Sequence, residues 1–265
     1  MRVAINGMGR IGRLLFRRLI DHTGIELVAV NDIMPPDNLT YLLKYDSVYG
    51  TFPGDIVLGE KTLTAGNKEV AVFQADHPSR LPWKELKIDA VLECSGKFSS
   101  KAGATEHLKS GANKVLLSTT GSSDIPLMIF GFNQKELTNE TIVSPGGCMT
   151  NCSVHILYIL NSIGIQSAQI NILHSYTSRQ ELVDAPHKDF RRGRAAAESI
   201  IPVEIDLHLS LERLLPGLKN KIAAVSTRVP VANGAMGDFT IQMSEPITVS
   251  EVNNLFKKAA SHEYK

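Results

Sequence analysis

Cysteine is scarce, with three residues in 265. Three thiols over that length cannot build a disulfide framework, and they make a reducing cytoplasm the natural compartment. Charge of either sign is not in excess: 28 basic residues face 27 acidic ones, for a formal net charge of +1. That leaves no electrostatic case for nucleic acid or an anionic membrane surface as a partner. No uncharged apolar run approaches the length of about 18 residues that a membrane span needs. The first residues, Met1-Arg2-Val3-Ala4-Ile5-Asn6-Gly7, run into a strand pattern without the apolar stretch of a signal peptide. Internal repeats and low-complexity tracts are absent too. What is present is the composition of a soluble globular chain, 43% hydrophobic and 21% charged, long enough for two ordinary domains or one large one.

Hydrophobic periodicity divides the chain into two textures. Up to residue 147, strand patterns at 2–6, 26–31, 69–74, 89–94 and 114–118 alternate with helical patterns at 10–21, 37–43 and 104–109. Such alternation predicts an α/β layer with a parallel sheet. From Cys148 a helix is expected to run toward Ser162, followed by strands at 168–174, 223–229 and 238–243. A basic stretch at 175–197, with Arg179, Lys188, Arg191, Arg192 and Arg194, is too irregular for one element and reads as a large functional loop. A last helix, capped by Ser250, is expected to end near residue 260. These patterns place a domain boundary just before Cys148, giving domains at 1–147 and 148–265.

Asn6-Gly7-Met8-Gly9-Arg10-Ile11-Gly12 contains G-x-G-x-x-G after a strand and before a helix. The first glycine permits the tight turn, the second lets backbone approach a pyrophosphate, and the third lets helix and strand pack closely. Asp32 ends the second strand, 20 residues after Gly12, where a carboxylate can hold a ribose 2′-hydroxyl. That carboxylate would repel a 2′-phosphate and the neighbouring Ile33 offers no cation for one, so the pattern selects NAD over NADP. The Tyr-x-x-x-Lys pair of short-chain dehydrogenases does not occur. A methyltransferase would have no use for the cysteine that opens the second domain.

That cysteine lies in Ser144-Pro145-Gly146-Gly147-Cys148-Met149-Thr150-Asn151-Cys152. A thiol at a helix N-terminus faces unpaired N–H groups and the positive end of the helix dipole, which favour its thiolate. A small buried residue at a helix start is the plainer alternative. A nucleophilic thiol needs a base, and histidine is tuned for that near neutral pH. His155 lies seven residues on, about 10 Å along the same helix, beyond hydrogen-bonding reach. His174 ends a strand immediately before the basic loop, a place from which it can face a helix N-terminus. Cys148, Cys152 and His155 lack the spacing of a zinc site.

With these stretches assembled, the chain resembles the phosphorylating glyceraldehyde-3-phosphate dehydrogenase family, of which erythrose-4-phosphate dehydrogenase is a close relative. INGMGRIGR, LLKYDSVYG at 42–50, ECSGKF at 93–98, SPGGCMTNC at 144–152 and HSYT at 174–177 are similar to family stretches. So are HKDFRRGRAAAESIIP at 187–202 and TRVPVANGAMGDFTI at 227–241. The resemblance implies an N-terminal Rossmann domain that binds NAD and a second α+β catalytic domain. It implies Cys148 and His174 as nucleophile and base, with Asn151 shaping the loop. Cofactor contacts are implied at Asn6, Gly7, Gly9, Arg10, Ile11, Gly12, Asp32 and Ser118. Thr150, Thr177 and Arg228 are implied contacts to a phosphorylated aldehyde, and inorganic phosphate is the second substrate. A homotetramer is implied by the loop at about 175–199, and no metal is expected.

Several departures bear on what the resemblance implies. The family has serine and threonine on either side of the cysteine as contacts to the attacking phosphate, whereas Gly147 and Met149 stand here. After IIP the family's Ser-Thr-Gly segment is replaced by Val203-Glu204-Ile205-Asp206, whose two carboxylates oppose a phosphate dianion. Arg179 stands where the family commonly has Thr or Asp and adds a cation toward the substrate's own phosphate. The resemblance also implies about seventy further residues after Lys265, so the catalytic domain is expected to be C-terminally incomplete relative to the family. Three readings remain at this point. They are oxidation of glyceraldehyde 3-phosphate with phosphate, oxidation of erythrose 4-phosphate with water releasing the acid, and a non-catalytic, truncated dinucleotide binder.

Overall fold

The computed structural model describes residues 1–262 and Tyr264. The chain folds as two compact units: Met1–Ile129 with Asn133–Gly147, and Phe130–Phe132 with the chain from Cys148 onward.

In the first unit the strands are β1 (Arg2–Asn6), β2 (Glu26–Asn31), β3 (Tyr45–Asp46), β4 (Gly50–Thr51), β5 (Ile56–Leu58), β6 (Thr62–Ala65), β7 (Lys68–Phe73), β8 (Ala90–Glu93), β9 (Lys114–Leu117) and β10 (Ile142–Val143). Helices α1 (Arg10–Leu19), α2 (Pro36–Lys44) and α3 (Lys101–Lys109) lie between them. Eight strands form one sheet in the order β10-β9-β8-β1-β2-β7-β6-β5, parallel from β10 to β7 and antiparallel beyond, while β3 and β4 pair separately. The alternation along β1 shows how the sheet is covered. Val3 and Ile5 point into a cluster with Phe16, Leu39 and Leu43, while Ala4 points the other way, toward Trp83, Ile88 and Val91. A parallel strand buried on both faces reads as a near-continuous apolar run, as VAI does here. From β1 the chain builds outward to β2 and β7 on one side and to β8, β9 and β10 on the other. This switch point, between β1 and β8, is where open α/β sheets form a ligand crevice at the carboxyl ends of their strands.

The second unit holds a four-stranded sheet in the order β12-β13-β11-β14, where β11 is Ile165–Ser175, β12 Ile201–Val203, β13 Ile222–Val229 and β14 Ala235–Met243. Strand β11 runs parallel to β13 and antiparallel to β14. Helices α4 (Cys148–Asn161) and α5 (Leu207–Leu214) pack against each other and against β11 and β13. They bury Val154, Leu157, Leu207 and Leu211 with Ile170 and Ile172 of the sheet. Helix α6 (Val249–His262) packs on α4.

Several expectations change in detail. Thr248, not Ser250, caps α6: its Oγ1 accepts from the Glu251 N–H at 3.3 Å while the Glu251 carboxylate accepts from the Thr248 N–H at 2.8 Å. Thr-x-x-Glu is a capping box, and it outranks a lone serine inside the first turn. Helix α3 starts three residues early because Ser100 accepts from the Gly103 N–H and serves as its N-cap. The β5–β6 hairpin and α5 are additions to the sequence reading. Two three- to four-residue strands carry too little periodicity to announce themselves, and α5 is only eight residues long.

Candidate active site

Two groups of candidate residues fall one in each unit. In the first, Gly7 adopts φ +92° and a Cβ there would overlap the backbone of Ser95. A Cβ on Gly12 would overlap the Gly7 carbonyl. Around Gly9, by contrast, a Cβ would meet nothing within 4 Å. So the first and third glycines are needed by the protein's own packing, while the second opens onto space that a phosphate can enter. Gly9 is the N-cap of α1 and makes no side-chain cap, which leaves the first N–H groups of the helix, including those of Arg10 and Ile11, for an anion. Asp32 sits where expected, at the end of β2, and it also braces the turn. Its carboxylate accepts from the Met8 N–H at 2.5 Å and from the Met34 N–H at 2.9 Å. Ser118 follows β9, its N–H bonded to the Glu93 carbonyl. The open second glycine, the uncapped helix and the strand-end carboxylate fit a dinucleotide. Asn6 is different: its side chain is buried and committed to Glu93 and Asn31, so it acts beneath the turn instead of on its surface.

The second unit brings Cys148 and His174 together. Gly146, at φ +74°, turns the chain into α4, which begins at Cys148. Cys148 Sγ lies 3.6 Å from His174 Nε2. On the far side of the ring, His174 Nδ1 stands 2.7 Å from the Ser175 carbonyl oxygen. A carbonyl only accepts, so Nδ1 carries the proton and Nε2 offers its lone pair to the thiol. His174 is paired in register with Arg228 on the neighbouring parallel strand, so both side chains leave the same face of the sheet, about 4.8 Å apart at the backbone. Just past β11, Thr177 Oγ1 donates to Gln180 Oε1 at 2.9 Å and accepts from the Arg179 N–H at 3.2 Å. Gln180 was not singled out in the sequence, although Thr-x-x-Gln is a readable local signature. Arg192 was noted only as part of a basic run, yet its Nη1 is buried without a hydrogen-bond partner among the described residues. Nothing in the sequence distinguished it from Arg191 or Arg194.

Thr150 is brought in differently from the others. It lies two residues beyond Cys148, on the buried side of α4 with Ser153 and Val154. His155 is held in place by packing: its Nδ1 lies 3.1 Å from the Tyr264 hydroxyl and its ring meets Phe132 edge to face. Burial holds its pKa below the ordinary range. At the phosphate-site departures, Val203 is buried with Ala196 and Ile201, and Tyr176 and Ile205 pack against them. These positions therefore serve a small apolar cluster and supply no hydroxyl. Among the described residues no group of three or more His, Cys, Asp or Glu side chains gathers to hold a metal.

A Rossmann-type sheet with an open glycine loop, followed by a second unit in which a helix-start thiol meets a histidine, defines the class of NAD-dependent dehydrogenases. Comparison with known proteins narrows the class. Residues 1–101 match the family described as glyceraldehyde 3-phosphate dehydrogenase, NAD binding domain, and residues 147–265 match its C-terminal domain. A glyceraldehyde-3-phosphate dehydrogenase of Clostridium pasteurianum is 40% identical over 99% of this chain and 80% of its own length. Glyceraldehyde-3-phosphate dehydrogenase 2 of Bacillus subtilis is 38% identical over 98% of this chain and 77% of its own. The chain belongs to the glyceraldehyde-3-phosphate dehydrogenase family, and its cofactor is NAD.

Burial pushes the Cys94 thiol up to about 12, the Glu93 carboxylate adding to the effect against a hydrogen bond with Ser118. Cys148 and Cys152 are both exposed. Iodoacetamide at pH 8 is therefore expected to label Cys148 and Cys152 and to spare Cys94 in the folded protein, as read by peptide mass. Labelling of Cys94 at a rate near that of Cys148 would contradict this arrangement.

Proposed function

We propose that this protein oxidises glyceraldehyde 3-phosphate with NAD through a thioester on Cys148 and releases an acyl phosphate, as a cytoplasmic enzyme of glycolysis and gluconeogenesis. The observation that carries the reading is the 3.6 Å approach of Cys148 Sγ to an imidazole nitrogen kept proton-free by the bond on its other side. The relatives' names support the substrate.

In this mechanism Arg228 and Thr177 hold the substrate's phosphate, with Arg179 as a further cation. His174 Nε2 takes the thiol proton, and the Cys148 sulfur bonds to the aldehyde carbon. The carbonyl oxygen becomes an oxyanion facing the N–H groups of the first turn of α4, and then receives the proton back from His174. Bound NAD supplies the acceptor for the hydride. His174 removes the hydroxyl proton as the carbonyl reforms, which leaves a thioester. An oxygen of inorganic phosphate then attacks the thioester carbon, the C–S bond breaks, and the Cys148 thiolate departs.

The last step is where a second reading has support. Gly147 and Met149 carry no hydroxyl, and Val203 and Ile205 are taken up by the apolar cluster. Those positions favour water over phosphate as the resolving nucleophile, with erythrose 4-phosphate as substrate. We further propose a homotetramer. Leu182, Val183 and Phe190 stand exposed on the 176–200 loop, as do Val225 and Met236 on the outer face of the β11–β13–β14 sheet. Association of copies would remove this apolar surface from water.

NADH formation from glyceraldehyde 3-phosphate is expected to require inorganic phosphate. Phosphate-independent turnover on erythrose 4-phosphate would overturn the main reading in favour of the second, and no turnover on either aldehyde would leave only dinucleotide binding. His174→Asn is expected to lower kcat by about 10²-fold or more in the same assay, and a near-normal rate would remove His174 from the chemistry. Sedimentation should give four times the mass of one chain; a monomer would refute the tetramer.

A further inference from the structure

Beneath the glycine turn lies a buried polar chain that the mechanism does not use. Asn6, Asn31 and Glu93 are the last residues of β1, β2 and β8, and they stand side by side in register across the sheet. All three are buried, as are His107 on α3 and Trp83, the protein's single tryptophan.

The direction of every hydrogen bond in this chain is fixed from its ends. Trp83 Nε1 can only donate, and it lies 3.0 Å from His107 Nδ1. His107 Nδ1 must therefore accept, so Nε2 carries the proton and donates to Glu93 Oε2 at 2.9 Å. At the other end, Asn31 Oδ1 accepts from the Ala75 N–H at 2.8 Å, so its Nδ2 donates to Asn6 Oδ1 at 2.7 Å. Asn6 is thereby oriented to donate through Nδ2 to Glu93 Oε2 at 2.5 Å. The other carboxylate oxygen accepts from both the Ser95 N–H, at 2.7 Å, and the Ser95 hydroxyl, at 2.5 Å. Four donors converge on Glu93, which can satisfy them all only as a carboxylate. Burial opposes the charge, but the bonds from His107, Ser95 and Asn6 outweigh it and hold the pKa below the usual range.

Glu93 thus joins two loops at the switch point. One is the turn after Asn6, where the Gly7 N–H bonds to the Asn31 carbonyl. The other begins at Ser95, whose backbone lies so close to Gly7 that a methyl group would not fit. A shift of either loop changes the width of the crevice that Gly9 and α1 present to a dinucleotide.

We propose that Glu93 is a positioning residue for NAD: its buried carboxylate clamps the glycine turn to the Ser95 loop, and His107, oriented by Trp83, holds that carboxylate in place. The inference rests on the assignment of the dinucleotide to this glycine turn. Its test is NAD binding by calorimetry to Glu93→Gln, His107→Gln and His107→Leu, each checked for folding by circular dichroism. Glu93→Gln removes the charge and sets an amide N–H₂ against donors, so NAD affinity is expected to fall about tenfold or more. The aldehyde KM at saturating NAD and the alkylation rate of Cys148 are expected to stay unchanged. His107→Gln can accept from Trp83 and donate to Glu93 and is expected to bind NAD within about twofold of wild type, whereas folded His107→Leu loses about fivefold or more.

The leucine and glutamine variants decide the matter even where Glu93→Gln does not fold. Wild-type affinity in folded Glu93→Gln or His107→Leu, or equal losses in His107→Gln and His107→Leu, would overturn the proposal. Absence of NAD binding by the wild-type protein would instead overturn the placement of the cofactor.

Discussion

The bond between His174 Nδ1 and the carbonyl of Ser175 is short, local and easily passed over, yet the proposed chemistry of Cys148 depends on it. An imidazole free to exchange tautomers would turn a proton, not a lone pair, toward the thiol whenever Nε2 carried the hydrogen. Held by a carbonyl one residue along its own strand, it presents a lone pair instead, and in the proposed mechanism the base is ready before substrate arrives. Everything around it keeps that orientation useful. The turn through Gly146 starts α4 at the cysteine, and the register of β11 with β13 sets Arg228 beside the histidine on the same face. In the proposed mechanism, substrate phosphate and reacting carbon are thereby given separate contacts.

The first unit solves a comparable problem of direction with buried side chains. A carboxylate taken out of water is costly unless every lone pair meets a donor. Glu93 meets four, and their directions are dictated by Trp83 at one end and the Ala75 backbone at the other. Networks of this kind are sensitive to the loss of any member because the interior screens charge poorly. The consequence here is that the ends of three central strands are fixed to one another beneath the glycine turn.

Much of this was legible in the sequence, for identifiable reasons. The glycine turn, Asp32, Cys148 and His174 each combine an unusual residue type with a boundary between elements, and boundaries are marked by composition. The alternation of strands and helices in the first unit announced its sheet. What stayed hidden depends on partners far apart along the chain. Asn6 and Glu93 are 87 residues apart, and no periodicity connects them. Arg192 has neighbours of the same type, so only burial sets its guanidinium apart. Thr150, which the family resemblance implies as a substrate contact, lies on the buried side of α4, and its burial there could be read only from the fold. The replacement of hydroxyls at 147, 149 and 203–206 was visible at once, but that Val203 and Ile205 build a cluster with Ala196 and Ile201 required the fold.

In the proposed mechanism the Cys148 sulfur carries the acyl group. Mixing the protein with NAD and glyceraldehyde 3-phosphate without inorganic phosphate, quenching in acid and weighing the peptides tests it directly. An acyl adduct on the peptide at Cys148, formed together with a burst of NADH, is expected. An unmodified Cys148, or an adduct confined to Cys152, would contradict it.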